Sequence, residues 1–203
     1  MSNVFHERLQ MRRSEQKRTR LFILLGLFLG ILMLAGYVVQ SDVFQKKYVY
    51  PYPHQAIIAR YAEKYRIENS LVAGVIMSES KFQNEVHSDR GAIGLMQLMP
   101  STAKWIAEQL EDSYDMEKLH EPEMNIRFGT WYLSSLKKEF AGNEVLMLAA
   151  YNAGRGNVRS WMEEYGWDGS FNDIRQIPFA ETREYVARVL KNKERYQKLY
   201  GEN

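Results

Sequence analysis

Residues 72–99 read VAGVIMSESKFQNEVHSDRGAIGLMQLM, and one residue in this stretch is out of place. Val72, Val75, Ile76 and Glu79 fall at i, i+3, i+4 and i+7, so the apolar stripe of a short helix ends in a carboxylate on the same face. A glutamate pointing inward needs a reason. On spacing alone it can snorkel to water or pair with Arg90 or Lys81; walled by apolar side chains, it would instead be partly desolvated and hold a proton near neutral pH. After it, Gly91 and Gly94 mark residues 82–95 as an irregular loop or a small hairpin.

Working outward, helical periodicity dominates from residue 54 onward. Ile57, Ile58 and Tyr61 pattern a helix over 54–65, and Asn69 is a candidate N-cap for the helix that ends near Ser80. A helix over 101–110 can be capped by Ser101. Pro122 suits the first turn of the next, which runs to about Phe140 with Phe128, Trp131, Tyr132 and Leu136 inward. Asn143 caps EVLMLAAY, apolar nearly all round and therefore expected as the buried central helix, broken by Gly154 and Gly156. A helix over 158–164, a polar loop to Pro178 and a final helix over 182–200, with Val186, Val189 and Leu190 inward, complete one mainly α domain over 54–203.

Toward the N-terminus, residues 21–39 (LFILLGLFLGILMLAGYVV) carry no charge over 19 residues, enough to cross a bilayer core of roughly 30 Å. A cleaved signal peptide is the rival reading, but Met33 stands where a small-x-small site needs a small residue, and Tyr37 stands where a lipoprotein signal needs cysteine. An uncleaved transmembrane anchor is the expectation. Residues 1–20 hold six Lys/Arg against Glu7 and Glu15, which places this basic tail in the cytoplasm and everything after the anchor outside. Residues 40–53 form a short tether, in which Pro51 and Pro53 discourage regular structure.

Composition narrows the chemistry. The 203-residue sequence has no cysteine, which excludes disulfides, thiol nucleophiles and thiolate metal sites. Its four histidines are scattered, with no HExxH, so neither a metal nor another cofactor is expected. From residue 21 onward 21 basic residues face 23 acidic ones, and nucleic acid is not an expected partner.

Four blocks then follow in order: SES at 78–80, GAIGLMQLMP at 91–100, AYNAG at 150–154 and IPFAETREYV at 177–186. Together they resemble the catalytic domain of the soluble lytic transglycosylases, also called family 1 lytic transglycosylases, related in fold to goose-type lysozyme. The resemblance covers residues 54–200 and implies a mainly α member of the α+β lysozyme-like superfamily. It implies a lyase that cleaves the β-1,4 bond between N-acetylmuramic acid and N-acetylglucosamine in peptidoglycan; with the anchor expected at 21–39, the whole would be a single-pass membrane protein with its catalytic domain outside. Any further partner in cell-wall machinery is left unidentified.

The resemblance assigns Glu79 as the single catalytic acid/base. Ordinary glycosidases use two carboxylates; Glu85 and Asp89 are the candidates by position, more simply read as solvated loop residues. The family route instead uses the substrate's acetamido group and its 6-hydroxyl, giving a 1,6-anhydro product. Family positions in the groove fall on Ser80, Ser88, Gln97, Met99, Tyr151, Asn152 and Tyr185. Several of them also have a plainer reading: Ser80 can bond its own preceding turn, Tyr151 and Met99 can be core, and Asn152 can cap a helix. Gln97, a lone amide among Leu95, Met96, Leu98 and Met99, reads more easily as a sugar contact. Trp105, Trp131, Trp161 and Trp167 are candidate stacking platforms. A hydrolase on the same fold and a non-catalytic wall-binding protein are the alternatives.

Overall fold

A computed structural model describes residues 2–201, with side chains described at residue 20 and from residue 22 onward. The basic side chains at 8–18 therefore lie outside the described residues. The protein divides into two units, Met1–Val49 and Tyr50–Asn203.

In the first unit, α1 runs over Ser2–Gln40, followed by α2 (Asp42–Phe44) and a π-helical turn over Gln45–Val49. The segment Phe22–Gln40 is long and apolar enough to cross a membrane, with a mean hydropathy of 2.6 and none of it buried in protein. Residues 42–49 are helical where the sequence suggests an irregular tether, because Ser41 caps α2 with its hydroxyl and the prolines lie beyond the helical run.

The second unit contains α3 (Gln55–Tyr65), α4 (Asn69–Glu79), α5 (Pro100–Gln109), α6 (Pro122–Glu139), α7 (Glu144–Ala153), α8 (Arg155–Tyr165) and α9 (Ala180–Tyr200). Among the described residues there is no strand, only isolated bridges from Ile93 to His87 and to Leu98. The expected small hairpin is thus reduced to a knot of loop over 86–98.

Several boundaries move by a residue or two. Glu68, not Asn69, occupies the N-cap of α4, and Pro100 opens α5 ahead of Ser101. Gly154 alone breaks α7 from α8, at φ +90, and Gly156 lies inside α8. Asn143 caps α7 as expected, accepting from the Leu146 N–H at 2.9 Å.

The core is built on two enclosed helices rather than one. α7 is buried over 146–150, and α4 is buried without interruption over 71–76, so the stripe of Val72, Val75 and Ile76 is one side of a helix surrounded on all sides. Burying each of these three side chains stabilises by roughly 1.5–3 kcal/mol. The most extensive interface is between α4 and α9. Gly74 makes it possible: a Cβ there would lie 2.8 Å from the Lys193 backbone nitrogen and 3.1 Å from the Val189 carbonyl.

The residues just before α3 belong to this unit. Tyr196 Oη donates to the Pro51 carbonyl at 2.8 Å and Tyr200 Oη to the Tyr50 carbonyl at 2.7 Å. The Tyr52 ring packs against Tyr196, Tyr200 and Phe82. Residues 50–53 are therefore strapped to the end of α9 rather than hanging free.

Gly74→Ala forces α4 and α9 apart against backbone atoms, and urea unfolding is expected to show a loss of about 1–3 kcal/mol.

Candidate active site

Glu79 is the last residue of α4, half-buried where α4 meets α9. Burial pushes its carboxyl up to about 7, against the opposing pull of the Tyr185 hydroxyl and the Arg188 guanidinium; the like charge of Glu181 pushes in the same direction as burial. These three residues all lie on α9, which the α4–α9 contact carries to this spot. At such a value the carboxyl can both hold and give up a proton near neutrality.

Two tyrosines flank it. Tyr185 is buried on α9, and its hydroxyl faces the Glu79 carboxyl, favouring the charged form, with no other partner among the described residues. Tyr151, near the end of α7, donates to the Met96 carbonyl at 2.8 Å, leaving its oxygen lone pairs to accept. Burial and the nearby Glu79 carboxylate push both phenols well above their usual range, so they stay protonated donors.

The loop over 86–98 forms the opposite wall, and its irregular backbone is satisfied partly by its own backbone bonds and partly by side chains. Ser80, buried, donates to the Leu95 carbonyl at 2.8 Å and back to Ile76 at 3.2 Å. Asn125 on α6, fully buried, accepts from Met96 N–H at 2.7 Å and donates to the Ile93 and Leu119 carbonyls at 3.0 and 2.7 Å. Two glycines make room: a Cβ at Gly94 would collide with the Asn125 amide, and one at Gly129 with Met96. Gln97, at φ +48, donates to the Val86 and Gly94 carbonyls at 2.9 Å each, and Ser88 Oγ accepts from the Ala92 N–H at 2.9 Å.

The expected site residues therefore separate into groups. Tyr151 and Tyr185 stand beside Glu79. Asn152 accepts from Thr182 at 2.8 Å and lines a cleft of about 550 Å³ with Arg90, Phe179 and Glu181. Met99, 39% exposed at the head of α5, presents an apolar surface. Ser80, Ser88 and the Gln97 amide nitrogen are committed to the loop backbone, which is a supporting geometry rather than an open sugar contact. Glu85 and Asp89 are exposed loop residues, and neither is among the charges that shift Glu79.

The tryptophans form two groups. Trp105 and Trp131 pack together at 5.5 Å beside Tyr132, whose ring lies 5.5 Å from Tyr151. Trp161 and Trp167 join Phe179 and Phe171 in a separate aromatic cluster. Among the described residues, no group of three His, Asp or Glu is placed to hold a metal.

Three contributors are not apparent from the sequence: Asn125, Arg188 and Glu181. Asn125 carries a readable signal, since it precedes Phe128 by three on the inward face of α6, where an amide needs buried partners. Arg188 and Glu181 give none, being ordinary charges on a surface helix until α9 is docked.

The transglycosylase SLT domain model matches residues 56–174. The protein belongs to this family. A second model, the soluble lytic transglycosylase helical domain, matches residues 176–203, so α9, which brings Tyr185 to Glu79, lies under a different family description from α4. A soluble lytic murein transglycosylase from Salmonella typhimurium is 35% identical over 75% of this SLT-family chain and 24% of its own length. A membrane-bound lytic murein transglycosylase C from Haemophilus ducreyi is 29% identical over 96% of this chain and 55% of its own length. The lytic transglycosylase Slt of Pseudomonas aeruginosa, solved as an inactive glutamate-to-glutamine mutant, superposes with a TM-score of 0.68 at 35% identity, covering 78% of this chain and 27% of its own. The protein thus spans about a quarter of the length of the soluble relatives.

Asn125→Ala strands one N–H and two carbonyls in the core. An expected loss of about 3 kcal/mol or more is measurable by urea unfolding, and amide exchange at Met96 should quicken more than exchange in α9.

Proposed function

We propose that this protein is a membrane-anchored murein lytic transglycosylase in which Glu79 is the single general acid/base. The observation that carries the reading is a carboxyl raised to about 7 by burial, flanked by two protonated tyrosines. Protonated Glu79 donates to the glycosidic oxygen between N-acetylmuramic acid and N-acetylglucosamine, and the C–O bond breaks as cationic charge grows at the anomeric carbon. The substrate's acetamido oxygen stabilises that centre. Glu79, now a carboxylate, takes the proton from the sugar's 6-hydroxyl, which attacks the anomeric carbon and closes the 1,6-anhydro ring. The proton returns to Glu79, and no water is consumed.

The surrounding residues have fitting tasks. The Tyr185 hydroxyl, with no partner besides Glu79, can bond the carboxylate form or the acetamido group; Tyr151 can accept from the substrate while holding Met96. Asn152 and Met99 offer an amide and an apolar face to sugars. Ser80, Ser88 and Gln97 hold the loop wall in place. The inactivity of the glutamate-to-glutamine relative supports a mechanism in which a glutamate carboxyl is essential.

The apolar segment Phe22–Gln40 supplies the anchor, and the basic residues before it put the N-terminus on the cytoplasmic side. The name of the Haemophilus ducreyi relative, membrane-bound, supports membrane attachment. Peptidoglycan is then reached from the outer face of that membrane.

Hydrolysis on the same fold is the second reading, because Glu181 is a carboxylate whose charge reaches Glu79. Mass spectrometry of sugars released from isolated peptidoglycan separates the two: the anhydro product is one water lighter than the hydrolysis product. Glu79→Gln is expected to lower turnover by about 10²–10⁴-fold, whereas Glu181→Gln should retain the anhydro product. Retained turnover in Glu79→Gln refutes the assignment.

The pH profile carries a signed expectation. Activity needs protonated Glu79 and should fall as pH rises through about 7. Arg188 favours the carboxylate, so Arg188→Gln should move that falling limb to higher pH, and Glu181→Gln should move it lower.

A further inference from the structure

A groove of about 690 Å³ in the second unit is lined by neither Glu79 nor its neighbouring tyrosines. It lies between the C-terminal end of α3 and the last turns of α6, and its lining includes Lys64, Arg66, Lys137 and Lys138 with no carboxylate. None of the four cations has an acidic partner among the described residues. Placement in a last helical turn accounts for each lysine singly. It does not account for Arg66, which lies past the end of α3 at φ +57, nor for the convergence of all four on one concavity.

The walls are aromatic. Tyr65 and Trp131 line the groove, with the Lys64 ammonium 5.5 Å from the Tyr65 ring, and Lys137 donates to the Arg66 carbonyl at 3.3 Å, tying its two sides together. Trp131 also begins a file of rings: it packs on Trp105 at 5.5 Å, Trp105 on Tyr132 at 6.2 Å, and Tyr132 on Tyr151 at 5.5 Å, beside Glu79.

We propose that this basic groove binds the free carboxylates of a short peptide branch carried by the glycan strand whose sugars lie at Glu79. The source of the ligand rests on the proposed wall-glycan function, because peptidoglycan carries acidic peptide stems on its muramic acid residues. The cations meet the carboxylates, while Trp131 and Tyr65 cover the apolar side chains between them. A bilayer surface is the poorer occupant, since a flat anionic sheet meets protruding cations more readily than cations set around a concavity.

The test uses the full-length protein in neutral detergent, with a synthetic acidic pentapeptide bearing free carboxylates, its fully amidated counterpart, and vesicles of anionic lipid. Tryptophan fluorescence reports binding, since Trp131 lines the groove. The acidic peptide should bind, lose affinity as salt rises, and bind roughly tenfold more weakly to the Lys64→Gln/Lys138→Gln double variant, as expected for two exposed ion pairs. Lys198→Gln, outside the groove, should leave binding unchanged, and circular dichroism checks the fold of each variant. Equal affinity for acidic and amidated peptides, no binding, or selective loss of vesicle binding in the double variant overturns the inference. A protein that cleaves peptidoglycan but fails this test refutes the groove assignment alone. A protein that binds the peptide in this way but leaves peptidoglycan intact refutes the transglycosylase reading instead.

Discussion

An irregular stretch of backbone buried against helices must have its N–H and C=O groups met by something, and in this protein side chains meet those that the loop does not pair with itself. The loop over 86–98 pairs part of its backbone with itself, as in the Ile93–Leu98 and Gly94–Val86 bonds, and groups left over, such as Leu95 C=O, Met96 N–H and Met96 C=O, are met by Ser80 from the end of α4, Asn125 from α6 and Tyr151 from α7. Each of these bonds also fixes a helix relative to the loop. Ser80 follows Glu79 directly, and Tyr151 is the residue that stands beside it. The same bonds that satisfy the loop therefore set the wall facing the carboxyl. Gly94 and Gly129 belong to this arrangement as absences of a side chain, letting Asn125 and Met96 sit where they do.

The electrostatic character of Glu79 comes from the other side, through α9. Burial favours the neutral acid, and Arg188 and the Tyr185 hydroxyl restrain that effect, so the carboxyl settles near 7 rather than far above it. A much more apolar site would keep the proton and serve only as an acid. A solvated site would release it and serve only as a base. The proposed route needs both in one turnover, and the balance is set by how closely α4 and α9 approach at Gly74.

Much of the helical framework is legible in the sequence because it follows local rules: Pro122 at the start of α6, Asn143 capping α7, the apolar run of α7 itself. The oddity of Glu79 is legible as well, but its cause is not the apolar stripe alone. α4 is enclosed on every side, and the exposure of its last turn is decided by α9 and the loop. Gln97 and Ser80 stand in blocks that resemble a family signature, yet their donor groups serve backbone, a distinction that depends on where carbonyls of distant residues come to lie. Arg188 and Glu181 are unreadable for the same reason. The tyrosines at 50 and 52 look like tether until α9 supplies Tyr196 and Tyr200 to pack against.

Burial holds the Glu79 carboxyl near neutrality, and a carbon-13 NMR titration of the side-chain carboxyls, with Glu79→Gln identifying the resonance, reads this value directly. One glutamate is expected to titrate near pH 7 and to be absent from the variant. A Glu79 resonance that titrates near 4.5, the ordinary value, would contradict it.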